Sequence, residues 1–268
     1  MRSLIKHLGL ATLLATAMPA QAHKLWLLPS HTAVSEPQWI TVDASISNEI
    51  FGFERAYPVD GVEVTGPDGK PAAVDHVTQM HTRSVFDVEL EQEGSYRIAV
   101  AKPGYFLMYE VDGERKRGRG NDVDKMLAEL PKNASNVKLM EVHNRLETFV
   151  TLGAPNKTAL EPTGKGLELE MLTHPNDLYA GETSRWRLLV DGKPAPELKV
   201  ELVPGGTRYR DSQEDWSVTS DKKGVVEITW PSAGRYFLEI GTSDNKTVHK
   251  KAEQRRLQYL GTFEVLPM

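Results

Sequence analysis

Along most of the chain, apolar and polar positions alternate. Ile40, Val42, Ala44 and Ile46 are separated by polar neighbours, as are Phe86, Val88 and Leu90, and then Tyr96, Ile98 and Val100. A period of two puts every second side chain on one face and predicts strands that bury a single side. Pro67-Asp68-Gly69 and Glu93-Gly94 supply turns between them. One stretch changes period: Val123, Met126, Leu127 and Leu130 fall at helical spacing, with Asn121 as the expected cap and Pro131 as the stop. Phe149 to Leu152 reads as a strand again, leading out through Gly153-Ala154-Pro155.

Two phrases recur. Val59-Asp60-Gly61 returns as Val190-Asp191-Gly192, 131 residues later, and Gly94-Ser95-Tyr96 returns as Gly234-Arg235-Tyr236, 140 residues later. Near-equal offsets point to two copies of one unit with different loop insertions. Short strands with regular turns favour sandwiches of immunoglobulin-like size. The expected fold is therefore all-β: two tandem immunoglobulin-like β-sandwich domains at 23–120 and 160–268. Between them, 121–159 is expected as an insertion or linker with one short helix.

The first 22 residues have a different character. Arg2 and Lys6 precede the apolar run Leu8–Met18, and Ala20-Gln21-Ala22 closes it with small residues. That order is a secretory signal peptide with cleavage after Ala22. The run is too short to span a bilayer, which takes about 20 apolar residues. The mature chain is expected to be periplasmic, with no transmembrane segment.

Composition then narrows the chemistry. Of 268 residues, 32 are Lys or Arg and 37 Asp or Glu, a formal charge of −5, which argues against nucleic acid as a partner. There is no cysteine, so disulfides, thiolate metal sites and a cysteine nucleophile are excluded. No His-Glu-x-x-His, Gly-x-Ser-x-Gly or phosphate-binding glycine loop is present, and no catalytic residue is nominated.

His23 is the strongest candidate for a site, because cleavage would make it the first residue. Its freed amine and its own Nδ1 can close a six-membered chelate ring on one metal ion. Nitrogen donors of this kind suit a divalent transition metal ion, Ni, Co or Cu, rather than Ca or Mg. A free α-amino group has a pKa of about 8, so deprotonation near neutrality is cheap. One or two further imidazoles are needed, and His81 and His143 are the nominated partners, with Met80 beside His81 as a soft donor. The Arg115-Lys116-Arg117-Gly118-Arg119 run reads as a solvated loop, with binding of phosphate, lipid headgroups or an acidic partner as the alternative.

The mature start His23-Lys24-Leu25-Trp26-Leu27-Leu28-Pro29 resembles the opening of a little-characterised periplasmic family. Thr173-His174-Pro175-Asn176-Asp177, Asp191-Gly192-Lys193-Pro194, and Gly261-Thr262-Phe263-Glu264-Val265 are similar to it as well. Its members carry a domain-of-unknown-function label and are described as periplasmic components of putative cobalt/nickel transport systems. The resemblance implies a metal-binding accessory protein of an envelope uptake system. It also implies an inner-membrane transporter, an outer-membrane receptor or a membrane reductase as partner, and iron or copper as other cargo. Only His23 carries over from it as a ligand. Two other classes stand beside this reading: a non-enzymatic interaction or scaffold module without metal, and a copper-dependent oxidase built on the same terminal histidine.

Overall fold

The computed structural model describes residues 24–268, and His23 lies outside them. The described chain is all-β with one short helix, as the alternation predicts. The first half contributes β1 (Lys24–Pro29), β2 (Ala33–Val34), β3 (Gln38–Ser47), β4 (Arg55–Ala56), β5 (Val62–Thr65), β6 (Val74–Gln79) and β7 (Ser84–Leu90). Three longer features follow: the hairpin β8 (Gly94–Val111) and β9 (Glu114–Gly120), the helix α1 (Val123–Ala128), and β10 (Ser135–Leu152). The second half adds β11 (Leu167–Met171), β12 (Thr183–Val190), β13 (Lys193–Pro194), β14 (Lys199–Pro204) and β15 (Trp216–Thr219). It ends with β16 (Val225–Thr229), β17 (Gly234–Asp244) and β18 (Gln254–Val265).

These strands make three sheets. A front sheet runs β1-β3-β7-β6, with β4 on β3. A back sheet runs β11-β12-β13, with β16 also on β12. Between them a middle sheet of nine strands runs β15-β14-β17-β18-β10-β8-β5, with β2 on β10 and β9 on β8. The two immunoglobulin-like sandwiches thus share one sheet. The join is the parallel pair β10–β18, from Met140 opposite Gln254 to Thr148 opposite Thr262. Residues 135–152, inside the segment expected as an insertion, form that central strand. Its partner lies more than a hundred residues away, and local alternation carries no information about such pairing.

Alternation then sorts the middle sheet's side chains between two cores. Leu146, Val150, Val100, Phe237 and Leu260 pack forward with Trp26, Val42 and Phe86 of the front sheet. Phe149, Leu257, Tyr259, Leu238 and Phe263 pack backward with Leu169, Trp186 and Ile228 of the back sheet. Each buried indole has an acceptor, as a desolvated N–H requires: Trp26 Nε1 donates to Ser47 Oγ and Trp230 Nε1 to Ser184 Oγ, both at 3.0 Å.

The repeated phrases encode one device twice. Gly94 and Gly234 sit at φ +131° and +144°, a backbone region reserved for glycine, and each launches a strand into the middle sheet. Two residues on, Tyr96 Oη donates to the carbonyl of Gln92 at 3.0 Å, and Tyr236 Oη donates to that of Ser232 at 2.7 Å. Both are tyrosine corners, which pin a strand's start to the turn before it.

Beyond the front sheet, β8, β9 and β10 continue as a three-stranded arm. α1 lies across the arm's back face, where Val123 packs with Leu107, Leu139 and Ala252. The helix is capped by Asp122 rather than Asn121: Asp122 Oδ1 accepts the N–H of Lys125 at 3.0 Å. Gly120 lies below it, where a Cβ would stand 2.9 Å from Met126 Sδ and the methionine would have to shift. The basic run expected as a loop is β9, paired with β8 from Gly120 opposite Tyr105 to Glu114 opposite Val111.

Candidate functional site

Of the nominated ligands, His81 is placed by the turn between β6 and β7, where the N–H of Met80 donates to the carbonyl of Arg83 at 2.9 Å. Both His81 and Met80 are exposed. Register fixes which end of the front sheet this is. Lys24 stands opposite Ser47 on one side of β3, and Ser84 stands opposite Ala44 on the other, with the turn running on towards Ser47. The chain therefore enters β1 at the same end as His81. Two or three strand spacings separate them, about 10–15 Å between backbones.

His143 lies elsewhere. It is on β10 between Pro103 and Leu257, on the same face as Phe149, which packs into the back core. β1 covers the opposite face, where Lys24 Nζ reaches over the Phe237 ring and comes 3.7 Å from Glu239 Oε2. The middle sheet stands between His143 and the start of β1, and the structure does not bring His143 and His81 together.

His143 has a local partner instead. Its Nε2 is 2.5 Å from Glu141 Oε1, two residues along the same strand face. Glu141 is buried, and its Oε2 accepts the N–H groups of Val248 at 2.8 Å and His249 at 3.3 Å. Burial acts to raise the Glu141 pKa, but the His143 contact and those two N–H groups outweigh it and hold the carboxyl below its ordinary value. The cluster ties the β17–β18 hairpin to β10. His249 completes it, its ring set edge-on against Tyr105 at 5.7 Å.

The other polar clusters are closed in the same way. Arg145 bridges Glu147 at 2.9 Å and Glu168 at 3.3 Å, and Glu168 also accepts from the backbone of Thr163, Gly164 and Lys165. Arg255 grips Asp244 and Asp191 together, each through two hydrogen bonds. His174 sits where the halves meet: Nδ1 accepts the N–H of Asn176 at 3.2 Å, while Nε2 faces Ser95 Oγ at 2.9 Å and the carbonyl of Asn156 at 3.2 Å. Accepting at Nδ1 fixes the neutral ring, and burial lowers its pKa against the opposing effect of the Asn156 carbonyl. Nothing local in the sequence signals the two partners of Nε2, because Ser95 and Asn156 lie 79 and 18 residues away.

Among the described residues there is no group of three His, Asp or Glu side chains placed to hold a metal ion. The described donors alone therefore do not close a metal site. Among them, too, no helix is long and apolar enough to cross a membrane.

Comparison with known proteins adds the family and little else. Among curated protein sequences none matches this chain. Similar solved structures include the D0–D1 domains of intimin, at 10% identity, with 88% of this chain and 96% of that one covered and a TM-score of 0.22. The Yersinia pseudotuberculosis adhesin InvE is 12% identical over 91% of this chain and 61% of its own, again with a TM-score of 0.22. The Escherichia coli adhesin FdeC is 13% identical over 89% and 65%, with the same score. Scores this low carry no argument about this chain. One family model, however, matches residues 20–244, across both halves and through the shared strand β10. On that match, the chain belongs to the family of the domain of unknown function DUF4198.

Proposed function

We propose that the protein is a rigid periplasmic binding platform that works by capture, with its ligand end where the chain enters β1. The observation that carries this reading is the placement of the exposed Met80-His81 turn at the same end of the front sheet as Lys24. In its finer form the ligand is a transition-metal ion delivered to or from an envelope transporter, receptor or reductase. His23 would supply amine and ring, and His81 the next imidazole, with Ni, Co or Cu favoured by nitrogen donors. Strand β1, packed on the middle sheet through Lys24, would brace the terminal ligand. His143 is the weaker nominee, because Glu141 already engages its Nε2.

A second reading is capture of a protein partner without metal, supported by the closed polar clusters and by the lack of a three-donor group among the described residues. Calorimetric titration of Ni(II) and Cu(II) into protein with an authentic His23 terminus separates the two. The metal reading expects one-to-one binding that weakens at least about tenfold when Ala22 is retained, because the chelate ring is then lost. Equal affinity with and without Ala22 would remove the chelate and leave the second reading.

A further inference from the structure

The arm has two faces with opposite fates. Its back face is closed by α1 over Leu107 and Leu139. Its front face carries Phe106, Met108 and Met140 in adjacent register, partly exposed, with Met108 38% accessible. Strand β9 lays Arg119, Arg117 and Arg115 beside Phe106, Met108 and Glu110 on that same face. Lys138 stands opposite Met108, and Arg256 opposite Val142, so the apolar strip is bordered by cations on both sides. Five exposed cations surround one carboxylate, Glu110, which lies 4.0 Å from Arg115 and also accepts from Asn136. The Arg119 guanidinium lies 5.5 Å from the centre of the Phe106 ring, which holds it over the strip rather than away from it.

In a chain of net charge −5, such a face is not the average surface. A solvated edge strand would account for charges on β9 alone. It does not account for Lys138 and Arg256, which come from two other strands and converge on the same apolar strip.

We infer that this face docks an acidic polypeptide segment of a partner protein, one that alternates carboxylates with apolar side chains. Shape selects a polypeptide over a bilayer. Strand β3 of the front sheet ends at Ser47, opposite Lys24, which is anchored to Glu239, in register with Leu260 and Leu146. From Leu146 to Lys138 the arm runs on about 26 Å, while packed sheets lie about 10 Å apart. The face is therefore the floor of a ledge whose wall is the end of the front sheet. A planar membrane would meet the wall before the floor, whereas an extended chain fits the corner. Arginines at every second position of β9 match the spacing of carboxylates on an extended partner, and the strip between them takes its apolar side chains.

The inference uses none of the ligands of the N-terminal reading, since its residues lie on β8, β9, β10 and β18. Its test is fluorescence anisotropy of the mature protein with a labelled 12-residue peptide alternating Glu and Leu. The comparator is the same peptide with Gln for Glu. The acidic peptide is expected to bind at least about tenfold more tightly than the Gln peptide. Binding should fall at least about tenfold in the triple variant Arg115→Gln, Arg117→Gln, Arg119→Gln, and stay unchanged in Lys222→Gln, Lys223→Gln on the far turn. It should also weaken with added salt, because these charges are exposed. Equal binding of both peptides, or full affinity in the triple variant, overturns the inference. So does sedimentation with phosphatidylglycerol vesicles in the absence of peptide binding, which would make the face a membrane contact.

Discussion

The same residue type leads two lives on the middle sheet. On the body, between the front and back sheets, Arg255 is buried and Arg145 largely enclosed, and both are committed to fixed partners: Arg255 to Asp191 and Asp244, and Arg145 to Glu147, Glu168, the Thr163 hydroxyl and the Lys165 carbonyl. On the arm, where only the back face is covered, Arg117 and Arg119 stand exposed beside apolar side chains. What differs is the layer above the strand. A covered strand must pair each charge it buries, so its arginines become struts. An uncovered strand pays no such toll, and its arginines remain free to meet something else.

The comparison breaks first, and hardest, at Glu168. Its carboxylate collects three backbone N–H groups, the Thr163 hydroxyl and Arg145, so Glu168→Ala orphans all of them at once. The expected loss is about 3 kcal/mol, read as a lower urea midpoint with unchanged slope. A loss below about 1 kcal/mol would mean the network is ornamental.

Arg255→Ala comes next, at about 2 kcal/mol, and its effect should depend on pH. Hydrogen bonds from Arg255 hold Asp191 and Asp244 below their ordinary pKa of 3.8, against the opposing effect of burial. Carboxyls depressed in the folded state contribute stability that is full above the unfolded value and lost as pH falls through the folded one. The gap between wild type and Arg255→Ala should therefore close as pH drops below about 4. A gap that stayed constant down to pH 2 would show that the ion pairs contribute no net stability.

His174 tests the seam between the halves, with a smaller effect. Its folded pKa is lowered from 6.5, chiefly by burial. Such a base contributes fully above its unfolded pKa, and stability should decline as pH falls below about 6.5, levelling once the folded ring also protonates. His174→Gln should flatten that limb by up to about 1 kcal/mol. Ring titration followed by NMR checks the cause: a midpoint at or above 6.5 would contradict it.

Much of the body was legible because its signals are local. Gly94-Ser95-Tyr96 and Gly234-Arg235-Tyr236 each specify a turn, a launched strand and a tyrosine corner within a few residues. The arm was harder to read, for a physical reason. β9 has arginines on one face and Glu114, Lys116, Gly118 and Gly120 on the other, so it lacks the apolar alternation that marks a half-buried strand. Gly120 is understood only once Met126 of α1 is known to lie against it. Glu141 and His143 could have been paired by their spacing of two, had 135–152 been read as strand. Arg145 with Glu168, and β10 with β18, are set by tertiary pairing that no short window contains.

The contrast between struts and free cations is tested most directly by the thermal midpoint of the Arg115→Gln, Arg117→Gln, Arg119→Gln protein. If the arm's open face bears no part of the fold, that midpoint should stay within about 2 °C of wild type, since exposed substitutions rarely exceed 0.5 kcal/mol. A fall of more than about 6 °C, comparable to losing a buried pair, would make these arginines struts too and end the distinction.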